Sequence, residues 1–182
     1  MNKEQIKEFF DFNETEYYIF DKYFSDLYND KWFSYSKVGT ELNLSRQAIQ
    51  IATNKMREKL RLGNKAVFYE TIKDKDLSLK EVKEAHRIFL RDIYEKCDYT
   101  KTKITTLDVD LRVYNVLSKV HKLDTLAQFI NFMIKYLEAS KTLKIPKLGP
   151  DSSKELLDNF KLLIEALFGN LNEVDEKWQL RG

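Results

Sequence analysis

Between Ser34 and Leu60 one pattern of residues restricts the backbone more than any other part of this 182-residue chain. Ser34 can cap a helix over 35–42, and Ser45 a second over 46–62, with Gly63 placed to stop it. Gly39 stands where the second helix would pass over the first, a crossing that needs a small residue. Asn43, in the turn, tolerates the left-handed backbone that a tight reversal needs. Ile49 then points back into the angle, and Val38, Leu42, Leu44 and Ala52 fill the remaining apolar slots. The expectation is a pair of closely crossing helices, a helix-turn-helix.

The rest of the chain also predicts helices. Five Gly and two Pro are too few for the many turns of a β-sandwich, and suit helices joined by short connections. A first helix is expected at 3–11. A second follows Asn13, which has capping-box spacing with Glu16, and runs to about residue 29. Further helices are expected at 65–73, 79–97, 111–121, 126–139 and 151–168, before a tail ending near Trp178. Ser78-Leu79-Lys80-Glu81 is a second capping box, with Val82, Ala85, Phe89 and Ile93 as the inward stripe behind it. The polar, β-branched stretch from Asp98 to Thr106 lacks helical period and reads as a linker. The fold class is therefore all-α in two domains, 1–97 and 106–182, joined by 98–105.

Half of the aromatic residues, 12 of 24, fall between Phe9 and Tyr35. Tyr17, Phe20, Phe24 and Leu27 make one apolar face of the second helix, while Tyr18, Ile19, Tyr23 and Tyr28 extend it beyond one face. Either these rings support the next helices, or the second face holds a partner, as in a homodimer or a polymerase contact.

The net charge of +2 conceals an asymmetry. Residues 1–30 carry 3 Lys and 8 Asp or Glu, whereas 31–62 carry 7 Lys or Arg and 2 Glu. Residues 106–182 hold 11 charges of each sign and are neutral. Positive charge concentrated beside a helix-turn-helix is what contact with a phosphate backbone requires. The outward face of the second helix carries Ser45, Arg46, Gln47, Gln50, Ile51, Asn54 and Lys55. Arg and Gln can bond purine edges bidentately in the major groove. Arg57, Lys59 and Arg61, nearer the helix end, suit phosphates better than bases. The expected partner is double-stranded DNA.

Other classes find little support. Cys97 is the single cysteine, so an internal disulfide and a cysteine-rich zinc site are excluded. His86 and His121 fall in different expected domains without metal-spaced neighbours, and no phosphate loop or nucleophile elbow is present. No enzyme, catalytic residue, metal or cofactor is expected. No apolar run approaches the roughly 18 residues that span a bilayer, and the N-terminus lacks the pattern of a secretion signal. A cytoplasmic location without membrane contact is the expectation.

Two resemblances sharpen this reading. KVGTELNLSRQAIQ and the run SRQAIQIATNKMREKLRL, within residues 31–62, resemble the fourth conserved region of bacterial sigma factors, which reads the −35 promoter element. No segment resembles the sigma region that melts the −10 element. In the second half, IPKLGPDSSKELLDNF (145–160) has the form of a helix-hairpin-helix turn, with Pro150 and Asp151 opening a helix. Together with LDVDLRVYNVL (107–117) it resembles the C-terminal domain of the RNA polymerase alpha subunit, over about residues 106–167. That resemblance implies a minor-groove arginine at Arg112, a neighbouring asparagine at Asn115 and a backbone-contacting lysine at Lys144. It also implies the hairpin glycine at Gly149 and a phosphate-bonding serine at Ser152. Asp151 departs from the family, which has a basic residue there, and the segment from Thr125 to Pro146 is longer than usual.

The function expected is a sequence-specific transcription regulator from a phage, plasmid or other bacterial mobile element, which binds double-stranded DNA and contacts RNA polymerase. Two alternatives stay open: a DNA-binding protein of plasmid replication, segregation or transfer, and an anti-sigma-like protein that binds polymerase without reading DNA.

Overall fold

A computed structural model describes residues 1–25, 33–139 and 144–169. Among these the chain is helical, with no strand and a single isolated antiparallel bridge between Lys103 and Thr125. The chain divides into two compact units, Met1–His86 and Arg87–Gly182.

In the first unit, α1 (Lys3–Phe10) starts from a capping box between Asn2 and Gln5 and ends where Asp11 turns left-handed at φ 58°. The box expected at Asn13 is present: its side chain accepts from the Glu16 N–H, and Glu16 reaches back to the Asn13 N–H. It opens α2 (Glu14–Ile19), which runs into a wider π-type turn over Phe20–Phe24. Leu27, Tyr28 and the expected end of this helix lie outside the described residues. α3 (Tyr35–Leu42), α4 (Arg46–Arg61) and α5 (Lys65–Ile72) follow, with Gly63 at φ 60° breaking the chain after α4 as expected. α4 packs against α2, α3 and α5.

The core of this unit is aromatic. Phe10 stacks on Phe12 at 5.0 Å and meets Phe20 and Tyr69 at 5.5 Å each. On α2 the buried stripe is Glu16, Ile19, Phe20 and Tyr23, one step round the helix from the expected Tyr17, Phe20 and Phe24. Tyr23 is only 8% exposed, and the hydroxyls of Tyr18 and Tyr23 donate to Glu41 at 3.0 and 3.2 Å. Of the face shared by Tyr18, Ile19, Tyr23 and Tyr28, the three described residues thus contribute to packing within the unit, and Tyr28 lies outside the described residues.

α6 (Leu79–Lys96) begins at the expected capping box, the Ser78 N–H donating to Glu81 at 2.8 Å. Its fully buried residues are Val82, His86, Leu90 and Tyr94, whereas Ala85, Phe89 and Ile93 are half-buried. The stripe therefore departs from the expected one after Val82. The polar tips explain why such residues can be inside: a ring nitrogen of His86 lies 2.7 Å from the Gly63 carbonyl, and the Tyr94 hydroxyl donates to the Thr106 carbonyl at 2.9 Å. His86 sits between Phe9 and Phe68, with ring centroids 5.2 and 4.9 Å away.

The second unit holds the end of α6, then α7 (Leu111–Asn115), which continues into a π-type turn over Val116–Val120, then α8 (Leu126–Ala139) and α9 (Pro150–Phe168). Its core joins Leu90 and Tyr94 to Leu107, Leu117, Phe129 and Leu163. The stretch expected as a linker belongs to this core. Ile104 is 2% exposed, the Ile104 N–H donates to the Asp124 carbonyl at 2.9 Å, and Thr102 accepts from the Leu126 N–H at 2.8 Å. Local hydrogen bonds replace helical period here, with Asp98 accepting from the Thr100 hydroxyl at 2.6 Å. The division between units falls inside α6 instead.

A fragment 106–182 lacks Leu90, Tyr94 and Ile104, which are 1%, 0% and 2% exposed in the intact chain. Burial of each contributes roughly 1.5–3 kcal/mol, so their sum rivals the roughly 5 kcal/mol that holds a small domain folded. We expect fragment 106–182 to lose a cooperative thermal transition by circular dichroism, and fragment 79–182 to keep one. Equal, sharp transitions would contradict this boundary.

Candidate nucleic-acid interface

The junction of α3 and α4 follows from a few local constraints. The Ser34 hydroxyl accepts from the Lys37 N–H at 3.4 Å and starts α3, and Asn43 ends it at φ 53°. The Leu44 N–H then returns to the Gly39 carbonyl at 2.9 Å. The Ser45 hydroxyl accepts from the Ala48 N–H at 3.1 Å and opens α4. A Cβ at Gly39 would lie 2.6 Å from the Leu44 carbonyl oxygen, so only glycine fits this crossing. The requirement inferred for Gly39 is therefore a backbone-to-backbone contact.

Val38 and Ile49 are each 0% exposed, filling the angle as expected, with Leu42 and Ala52 half-buried. Leu44 differs: its side chain is 41% exposed. It is the Leu44 backbone that packs in the turn, which leaves the side chain free to face solvent. Thr53 and Met56, both 0% exposed, complete the inner face of α4. The Thr53 hydroxyl donates to the Ile49 carbonyl at 2.7 Å, which lets a polar residue lie inside the helix packing.

Opposite this face, Ser45, Arg46, Gln47, Gln50, Asn54, Lys55 and Arg57 are all exposed, as is Ile51. Arg46, Lys55 and Arg61 pair with no carboxylate among the described residues. Arg57 places its guanidinium 5.2 Å from the Phe24 ring centroid.

Lys59, expected to meet phosphate, is instead turned inward. Its ammonium lies 2.9 Å from the Glu16 carboxylate and 3.4 Å from that of Asp11, with its side chain 13% exposed and that of Glu16 1%. This ion pair ties α4 to α2, because a carboxylate buried on α2 needs a cation within reach.

Glu41, on α3, is compensated too. The Lys22 ammonium 2.8 Å away, together with the Tyr18 and Tyr23 hydroxyls, holds its carboxyl below the usual carboxylate range. Its charge is thereby balanced close to where it arises.

The second unit arranges the other expected residues less tightly. The Asp110 side chain caps α7 by accepting from the Val113 N–H at 2.7 Å, and Arg112 in its first turn is exposed. Asn115 is half-buried, its Oδ1 atom inside and without a hydrogen-bond partner among the described residues. The Asp108 N–H donates to Asn159 and the Asp110 N–H to Glu155, each at 2.9 Å, which clamps the start of α7 to α9. Arg112 on α7 and Ser152 on α9 thus lie on helices joined by this clamp.

In the hairpin, Ile145 is buried and accepts from the Leu148 N–H at 3.1 Å. The left-handed residue is Lys147, at φ 67°, while Gly149 is extended at φ −80° with open space where a Cβ would stand. Lys144 is exposed and Ser152 half-buried.

Among the described residues no group of His, Cys, Asp and Glu could hold a metal ion, and no helix is long and apolar enough to cross a membrane. His121 lies against Phe132, ring centroids 4.7 Å apart. Comparison with family models, with curated proteins and with solved structures finds no match to this chain.

Proposed function

We propose that this chain is a sequence-specific double-stranded DNA-binding regulator of transcription, in which α4 lies in the major groove and reads base edges. One observation carries the reading. The α3–α4 crossing is so close that a Cβ at Gly39 would meet backbone at 2.6 Å, and it leaves Arg46, Gln47, Gln50 and Asn54 exposed on the far side of α4. A major groove about 12 Å wide admits one such helix, and these side chains carry the donors and acceptors that tell bases apart. The local excess of positive charge would supply attraction independent of sequence.

In this reading Arg112 and the start of α9 at Gly149–Ser152 give the second unit a role subsidiary to that of the reading helix. An exposed guanidinium fits a narrow minor groove, and the neutral charge of 106–182 predicts that this part adds little to the attraction for phosphate. The polymerase contact and the origin in a mobile element rest on the two family resemblances. No observation favours the alternatives over it.

Selection from a random DNA pool with the full chain would define the site and test the reading directly. On that site, Arg46→Ala and Gln50→Ala should each lower affinity by roughly five- to 150-fold, since a bidentate base contact confers roughly 1–3 kcal/mol of discrimination. Gln50→Ala should leave affinity for random DNA unchanged, the glutamine being neutral. Equal losses on both DNAs would contradict base readout, and unchanged binding in both variants would remove the proposal.

A further inference from the structure

We infer that Ile51 recognises the C5-methyl group of a thymine at the centre of the surface that α4 presents to DNA. The inference rests on the DNA-reading role proposed for α4. The inner face of α4 is set by Ile49, Thr53, Met56 and Leu60, none more than 6% exposed. At 3.6 residues per turn, Ile51 lies about 200° round the helix from Ile49, so it points almost directly away from the core. It is 50% exposed, a β-branched hydrocarbon in the middle of a polar face. Gln47 and Lys55, one turn before and after, and Gln50 and Asn54 beside it are all exposed.

A single exposed apolar side chain is ordinary on a protein surface. The chemistry of its surroundings distinguishes this one. Every neighbour on the face can donate or accept a hydrogen bond to a base edge, and Ile51 can do neither. The one apolar feature that the four base pairs display in the major groove is the thymine methyl. Amide side chains on either side suit adenine, which offers N6 and N7 on the same edge, so Ile51 falls where an A·T-rich step would be read. Its branched side chain has essentially one rotamer in a helix and can meet the methyl with little loss of freedom. Cytosine at that position would remove the methyl and press its N4 amino group against hydrocarbon without a partner.

The reach of this face also has an end. Glu58, two turns beyond Ile51, is exposed and would repel phosphate, and Lys59 is held by Glu16. The reading surface therefore spans residues 46–55, with Ile51 near its centre.

The test uses the full chain and the site obtained by selection. Each thymine is replaced singly by deoxyuridine, which removes the methyl and preserves pairing. At one position the wild-type chain should lose about fourfold in affinity, the factor conferred by burying one methyl group. Ile51→Ala should lose affinity on the thymine site and lose nothing further when that thymine becomes deoxyuridine. Alanine is a strong helix former at an exposed position, so the melting curve of this variant checks that α4 is intact.

Wild-type binding insensitive to deoxyuridine at every position would overturn the inference. So would an Ile51→Ala chain with the same deoxyuridine penalty as wild type, or one with normal DNA affinity that no longer associates with RNA polymerase. The last result would make Ile51 a protein contact. Failure to select any sequence would overturn the DNA-reading role itself, and this inference with it.

Discussion

Gly39→Val is expected to unfold the junction of α3 and α4 and to abolish specific DNA binding, at a cost of about 3 kcal/mol from overpacking. Two effects oppose each other at this position. Replacing a mid-helix glycine by alanine or valine gains helix propensity, at most about 1 kcal/mol for alanine and less for valine. Against that, the first added carbon would stand 2.6 Å from the Leu44 carbonyl oxygen. That neighbour is backbone, so no rotamer change relieves the contact, and the helices must move apart or the turn must open. The clash therefore outweighs the propensity, and Gly39→Ala should show a smaller loss in the same direction.

Gly149→Ala is the matched control, because its Cβ would meet open space at φ −80°. It should shift stability by no more than about 0.5 kcal/mol, with lost capping offset by a less flexible unfolded chain. Urea unfolding followed by circular dichroism measures all three variants. A Gly39→Ala chain with the wild-type midpoint would show that the crossing has space the contact distance denies.

Lys59→Ala is expected to cost about 3 kcal/mol, toward the lower end of what removing one partner of a buried ion pair does. The Glu16 carboxylate, 1% exposed, would lose its nearest cation and keep only the Asn13 N–H, which donates to it at 3.0 Å. That surviving hydrogen bond is why the lower end applies. Glu16→Gln keeps a capping side chain at the start of α2 while removing the charge. Measured against Lys59→Met and Glu16→Gln alone, the double variant Lys59→Met, Glu16→Gln should accordingly recover most of the loss from removing the cation, a coupling that a double-mutant cycle by thermal unfolding measures. The same double variant should bind the selected DNA with nearly wild-type affinity and salt dependence. A marked fall in the salt slope would mean that Lys59 leaves Glu16 for phosphate when DNA is bound.

These two sites differ in how far the sequence disclosed them. Gly39, Asn43, Ile49 and the caps at Ser34 and Ser45 were all legible, and each depends on residues only a few positions away. The capping boxes at Asn13 and Ser78 were legible for the same reason, since a box is complete within four residues. Nothing local marks Lys59 as an interior cation, because its partner Glu16 lies 43 residues earlier. In sequence it is one more base in a basic segment.

The same distinction separates what sequence periodicity determined in this protein from what packing decided. Periodicity and capping chemistry determined that the described residues are helical, where the helices begin, and that α3 and α4 cross tightly. Tertiary packing decided which side of α2 and α6 faces in and which charges remain outside. On α6 the stripe follows His86 and Tyr94 because the Gly63 and Thr106 carbonyls satisfy their polar atoms, and no hydrophobicity pattern encodes such acceptors. Around Ile104, a polar stretch that reads as a linker is drawn into the second core by hydrogen bonds to residues about twenty positions later. A helix start depends on neighbours along the chain, whereas the burial of a polar or charged group depends on a partner that only the folded chain brings near.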